Sequence, residues 1–160
     1  MSNINIRKAT VEDSALILRF VTELAIYEKA EHQVTATLTD IQGSLFAANS
    51  STQALICTID NTPVGYAIYF FNYSTRLGKH GLYLEDLYVS ADYRGLGAGE
   101  VILKHLAQIA LAKRCVRFEW RVLNWNEPAI KFYQSIGAQP QVEWVSYRLT
   151  DASLADFANS

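Results

Sequence analysis

Residues 83–111 read YLEDLYVSADYRGLGAGEVILKHLAQIAL, and this stretch decides the fold. Residues 83–89 are apolar and mostly aromatic or β-branched, interrupted only by Glu85 and Asp86, which predicts a buried strand. Residues 90–93 are a short polar turn. From Arg94 a glycine-rich turn opens a helix whose apolar residues Ile102, Leu103, Leu106, Ile109 and Ala110 recur at helical spacing. Such a turn leaves backbone N–H groups free at the positive end of the helix dipole, where phosphate oxygens are held. The loop lacks the Lys-Ser/Thr ending of a nucleoside-triphosphate loop, and Arg94 stands where a dinucleotide fingerprint needs its first glycine. What remains is Arg-x-x-Gly-x-Gly at Arg94, Gly97 and Gly99, with a ligand-free glycine turn as the alternative.

Upstream, residues 4–8 alternate as a first strand. Thr10 with Asp13 resembles a helix start, followed by Leu16, Phe20, Leu24 and Tyr27 at helical spacing. A polar loop at 28–34 and a short helix at 39–48 come next. Strands at 54–59 and 64–71 form a hairpin around Asp60-Asn61-Thr62-Pro63, and 72–81 is a polar connection. Downstream, 117–122 is a strand, and a helix runs from Asn126 to about Ile136, with Pro128 in its first turn and Gly137 as its stop. A strand at 142–149 and a final helix at 153–157 complete the chain. This order predicts one α/β domain over residues 1–160, a mixed central β-sheet with helices on both faces.

At 160 residues, half of them hydrophobic and 19% charged, the chain reads as one globular domain with a sizeable core. A net charge of -2 argues against nucleic acid or an anionic membrane as the main partner. No apolar run reaches membrane-spanning length and the first residues carry no signal-peptide core, so a cytoplasmic protein is expected. Cys57 and Cys115 match no metal spacing and are expected as reduced, buried thiols. His32, His80 and His105 make no constellation.

Three segments carry a resemblance that covers nearly the whole chain: YEKAEHQV (27–34), GLYLEDLYVSADYRGLGAG (81–99) and VLNWNEPAIKFYQSIGA (122–138). They are similar to the diamine (spermidine/spermine) and thialysine N-acetyltransferase branch of the GNAT superfamily. The resemblance implies acetyl-CoA as co-substrate, acetyl transfer to a primary amine of a small molecule, no metal, and a homodimer, for which 142–149 is the expected interface strand. Direct transfer is expected because neither Cys57 nor Cys115 lies on a motif that suggests an acyl-enzyme. It assigns the pyrophosphate to the backbone of Gly95, Leu96, Gly97, Ala98, Gly99 and Glu100 with Arg94 as charge partner. The backbone of Leu87, Tyr88 and Val89 would pair with the pantetheine arm where the sheet splays. Asn126 resembles a coenzyme contact, a role compatible with a plain helix cap, and Tyr133 resembles the general acid that protonates the leaving thiolate.

An alkylamine of pKa ~10.4 is only about 0.1% neutral at physiological pH, so a base is useful. Glu85, a carboxylate in an apolar strand, is the candidate; the alternatives are a bond to a backbone N–H or an ion pair with Arg121. Strict strand alternation sends Asp86 to the opposite face. By resemblance, Tyr27, Glu28, Glu119, Trp120 and Arg121 surround the amine, where carboxylates and aromatic faces suit a cation on a methylene stem. The branch carries Trp where this chain has Arg76, and its polyamine enzymes carry Asp where it has Ser74. Arg76 at the mouth would favour a lysine-like acceptor with a carboxylate over a polycation, unless it turns to solvent. A protein lysine or N-terminus as acceptor, or a silent acyl-CoA-binding module, are the other functions considered. The intact loop and Tyr133 speak against the silent one.

Overall fold

The structure, a computed structural model, describes residues 3–160. The chain forms two compact units, Met1–Arg121 and Val122–Ser160.

The first unit is built on a five-stranded sheet in the order β1-β2-β3-β4-β5, with β1 Ile4–Lys8, β2 Gln53–Ile59, β3 Thr62–Ser74, β4 Lys79–Val89 and β5 Phe118–Trp120. Neighbours are antiparallel except β4 and β5, which run parallel, so the sheet is mixed as expected. Helix α1 (Ser14–Tyr27) lies on one face, where Phe20 stacks on Tyr66 at 5.6 Å within a core that includes Ile17, Ala54, Ile56, Ile68 and Tyr88. Alternation along the strands sends Leu55, Cys57, Ala67, Leu82 and Leu84 to the other face, the side of helix α3 (Ala98–Ala112), which buries Ile102, Leu103, Leu106 and Ala110. The start of α1 is fixed by Asp13, which accepts the Thr10 N–H at 2.8 Å and hydrogen bonds from Arg7 Nη1 and Nη2 at 2.7 and 2.8 Å. Between these helices, α2 (Leu38–Asp40) begins at a reciprocal Thr37–Asp40 cap and continues as a π-helical turn, Ile41–Leu45.

Several boundaries differ from the sequence reading. The β2–β3 turn is only Asp60-Asn61, both at positive φ (48° and 69°), because a two-residue turn of that hand matches the strand twist. Thr62 and Pro63 therefore belong to β3, Pro63 beside a register shift that tolerates its missing N–H. Residues 72–81 are not a loose connection. The ladder continues to Ser74–Lys79, and the turn closes with Gly78 at φ 66° donating to Ser74 O at 2.8 Å. Polar side chains on exposed pairs such as Tyr73–His80 do not prevent pairing. The strand expected at 117–122 is limited to Phe118–Trp120.

In the second unit, α4 (Glu127–Ser135) and α5 (Asp151–Ala158) form as expected, and Gly137 takes φ 90° just past the end of α4. The strand expected at 142–149 is not formed. Alternation prepares a strand, but a strand needs a partner edge, and among the described residues none pairs with this segment. Val142, Val145 and Tyr147 are strongly exposed.

Candidate active site

The coenzyme side of the site begins at an open strand edge. β5 pairs only with Leu82, Tyr83 and Leu84, so β4 loses its second neighbour from Glu85 onward. The Ser90 N–H donates to Val64 O at 2.8 Å, which sets the phase of the β3–β4 ladder. Alternation then turns the backbone groups of Asp86 and Tyr88 toward β3 and those of Leu87 and Val89 toward the open edge. The Arg94 Nε bond to Val89 O at 3.0 Å is consistent with that phase. Of the expected trio Leu87, Tyr88 and Val89, the first and last can pair with an added extended chain. The Tyr88 backbone is committed to β3, and its hydroxyl donates to Glu23 Oε1 at 2.9 Å.

Past that edge, Gly95 and Gly97 adopt φ 80° and 91°, the left-handed region where a side chain is costly. Gly97 is the N-cap of α3, so the first N–H groups of that helix have no intrahelical partner. A side-chain carbon at Gly95, Gly97 or Gly99 would meet nothing within 4 Å, which leaves the approach to those N–H groups open. Ala98 is buried and offers its backbone alone; Leu96 is half-exposed; Glu100 pairs with Lys104 at 3.4 Å along the helix. The Arg94 guanidinium lies 4.7 Å from the Tyr27 ring centre and 5.6 Å from that of Tyr88. This anion cradle beside an unpaired edge fits the pyrophosphate and amide-rich arm of a coenzyme A thioester.

On the α1 face sits a group of carboxylates. β4 carries one more residue than β3 at this point: Ile68 pairs with Asp86 and Tyr69 with Leu84, leaving Glu85 as the extra residue of a bulge. Alternation breaks there, so Asp86 does not point away from Glu85. Both carboxylates share the field of Arg121, whose Nη2 lies 3.8 Å from Glu85 Oε2. Asp86 Oδ2 accepts the Tyr66 hydroxyl at 2.7 Å. Burial raises the Asp86 pKa, the Tyr66 bond opposes that, Glu85 adds to it, and Arg121 lowers it. Glu28 is raised as well, first by burial and then by Asp86, with Arg121 opposing. Tyr66 is pushed far up by burial and by Asp86, so it stays a hydrogen-bond donor.

The other expected substrate residues lie outside this carboxylate group. Tyr27 is taken up by Arg94. Glu119 Oε1 lies 3.0 Å from Arg117 Nε. Trp120 pairs with Leu84 and shares its face with Phe118 (ring centres 4.9 Å apart), so it turns away from Glu28 and Asp86. Arg76 is exposed in the β3–β4 turn beyond the Ser74–Lys79 pair, which puts its backbone about 20 Å along the strands from Asp86, outside the carboxylate group. In the second unit, Asn126 is the N-cap of α4, its carbonyl accepting the Ile130 N–H at 3.0 Å. Tyr133 is half-buried on the same helix, with its ring 6.0 Å from Phe132. Sequence reasoning missed the Tyr66–Asp86 pair; the available signal was a tyrosine and a carboxylate in two otherwise apolar strands. Among the described residues no group of His, Cys, Asp and Glu could hold a metal ion, and no helix is long and apolar enough to cross a membrane.

A splayed mixed sheet whose open edge leads into an anion-binding helix start, with carboxylates beside it, defines an acyl-coenzyme-using transferase. The chain belongs to the acetyltransferase (GNAT) family, whose model matches residues 19–138, and it is an N-acetyltransferase; the family uses acetyl-CoA. It is 37% identical to the thialysine N-epsilon-acetyltransferase of Mus musculus over 99% of each chain. It is 34% identical to the spermidine/spermine N(1)-acetyltransferase-like protein 1 of Homo sapiens over 99% of this chain and 24% of that one. Among solved structures, an integron cassette protein from the mobile metagenome of V. cholerae superposes with a TM-score of 0.83, covering 98% of each chain at 27% identity.

Proposed function

We propose that this enzyme acetylates the terminal primary amine of a small cationic molecule, a lysine-like amino acid such as thialysine or a short diamine. The observation that carries the reading is the carboxylate group of Glu28, Glu85 and Asp86 next to the open edge of β4, with the Asp86 pKa raised by burial. The similarity to a thialysine N-epsilon-acetyltransferase over 99% of both chains supports the same acceptor class.

Acetyl-CoA supplies the acyl carbon. Glu28 and Glu85 hold the substrate ammonium. Asp86 replaces Glu85, the base expected from the sequence, because Glu85 is exposed and faces Arg121 at 3.8 Å whereas burial raises the Asp86 pKa. Asp86 takes the ammonium proton directly or through water, a task to which a raised pKa brings a carboxylate closer. The freed nitrogen forms the C–N bond as the C–S bond breaks, Tyr133 gives the departing thiolate its proton, and the second proton shed by the acylated nitrogen returns through water to the Tyr133 oxygen. Leu87 and Val89 orient the pantetheine arm, and the N–H groups of residues 95–100 with Arg94 hold the pyrophosphate. The exposed apolar residues of 142–149 suit a second copy of the chain, and we propose a homodimer through that segment. Thiol release from acetyl-CoA, followed over thialysine, lysine, spermidine and lysine-containing peptides, tests the reading. Turnover of small amines is expected; turnover of peptides alone would overturn it.

A further inference from the structure

Arg76 lies too far along β3 and β4 to meet a substrate held at Asp86, yet another arginine stands on the correct face. Ile68, Phe70 and Asn72 of β3 point to the α1 side, as do Asp86, Tyr83 and Gly81 of β4 across from them, and Glu119 and Arg117 continue that face beside β4. The ring centres of Phe70 and Tyr83 are 5.3 Å apart and pave the interval. Gly81 makes room at the far end: a side-chain carbon there would lie 2.8 Å from Arg117 Cγ, so the arginine rests flat on the strand. Arg117 Nη2 donates to Tyr73 O at 3.2 Å, which anchors one side of the fork.

The pairing around that fork is incomplete. Arg117 Nε is buried without a hydrogen bond; it lies 3.0 Å from Glu119 Oε1 but off the line a hydrogen bond needs. Asn72 Oδ1, beside it, is likewise buried without a partner. The ion pair itself is over a third exposed on both side chains, so its outer edge faces solvent. It therefore presents a fixed cation and a fixed anion side by side, the complement of an α-ammonium and an α-carboxylate.

The spacing matches. Glu119 lies opposite Tyr83, two pair positions from Asp86 once the bulge is discounted, which is about 7 Å along the strands, and Arg117 is one side-chain repeat further. A five-bond lysine-type stem spans roughly 6 Å at ordinary bond lengths near 1.5 Å. An ammonium at Asp86 thus places the α-carbon of the same molecule beside Glu119, with its carboxylate toward Arg117.

We infer that Arg117 and Glu119 form the subsite that reads the α-amino-carboxylate of the acceptor, so that the enzyme selects amino acids over diamines. The inference rests on the proposed acceptor class and names the residues that divide it. The comparison to make is kcat/KM for thialysine against bis(2-aminoethyl) sulfide, the same molecule without its carboxylate. The wild-type enzyme is expected to favour thialysine, and Arg117→Met to lower the ratio by about tenfold to a hundredfold, mainly through the KM of thialysine. Arg117→Lys should restore part of the ratio, because it returns the charge without the fork. Equal losses on both compounds in Arg117→Met, or a wild type that treats them alike, would overturn the subsite while leaving small-amine acetylation intact. No thiol release with either compound would overturn the acceptor class itself.

Discussion

The hydroxyl of Tyr66 donates to Asp86 Oδ2 at 2.7 Å, joining adjacent strands through a tyrosine that is itself fully buried against Phe20 of α1. That bond does two things. It fixes the orientation of the carboxylate just after the β4 bulge, and it favours the ionised form against the burial that raises the Asp86 pKa. In Tyr66→Phe the opposing influence is lost, so the Asp86 pKa rises further. The acid limb of kcat/KM should move to higher pH, with the plateau less affected. A limb that stays in place would show that Asp86 is not the titrating base.

The coenzyme assignment is best tested at Gly99. Unlike Gly95 and Gly97, it has no positive φ, and nothing lies within 4 Å of an added side-chain carbon. Gly99→Val should fold with a stability change within about 1 kcal/mol, since helix propensity differs little between the two residues. Acetyl-CoA affinity should nevertheless fall at least about tenfold, because the branched side chain enters the anion approach. Calorimetry on the folded variant decides; an unchanged dissociation constant would remove the pyrophosphate from this turn.

Tyr133→Phe deletes one hydroxyl from a half-buried helical position. Turnover should fall by about a hundredfold or more, the usual effect of losing a general acid, while acetyl-CoA affinity barely moves. Normal turnover would make Tyr133 a packing residue and leave thiolate protonation to solvent.

Neither cysteine is poised to carry an acyl group. Burial raises both thiols, Cys57 to about 11. Cys57→Ala and Cys115→Ala should both retain turnover, and rapid mixing should show no burst of thiol release before amine is added. A burst lost in either variant would replace direct transfer with an acyl-enzyme.

Asp13 couples the start of α1 to β1. Its pKa lies below the ordinary 3.8, chiefly through the Arg7 bonds, so its contribution is present above the unfolded value and lost as pH falls through the lower native one. Asp13→Ala should cost about 1–3 kcal/mol at neutral pH, the range for removing a charged hydrogen-bond partner, and should flatten the acid side of the stability profile. Denaturant unfolding at several pH values measures both.

The order of elements, the glycine turn and the helix after it were legible in the sequence because each rests on local rules: strand alternation, helical spacing, and the need for glycine at positive φ. The family was legible for the same reason, since residues 81–99 and 122–138 are contiguous motifs. The bulge at Glu85 was not. It depends on how β3 and β4 align, and a one-residue offset reverses which face every later side chain takes. That offset put Asp86 beside Glu85 and Arg121, turned Trp120 away from the carboxylates, and placed Arg117 on the face they occupy. It is also register, accumulated over the length of a hairpin, that carried Arg76 away from Asp86. The residues of the site are written in the sequence, but which of them meet is decided by strand pairing between segments far apart in the chain.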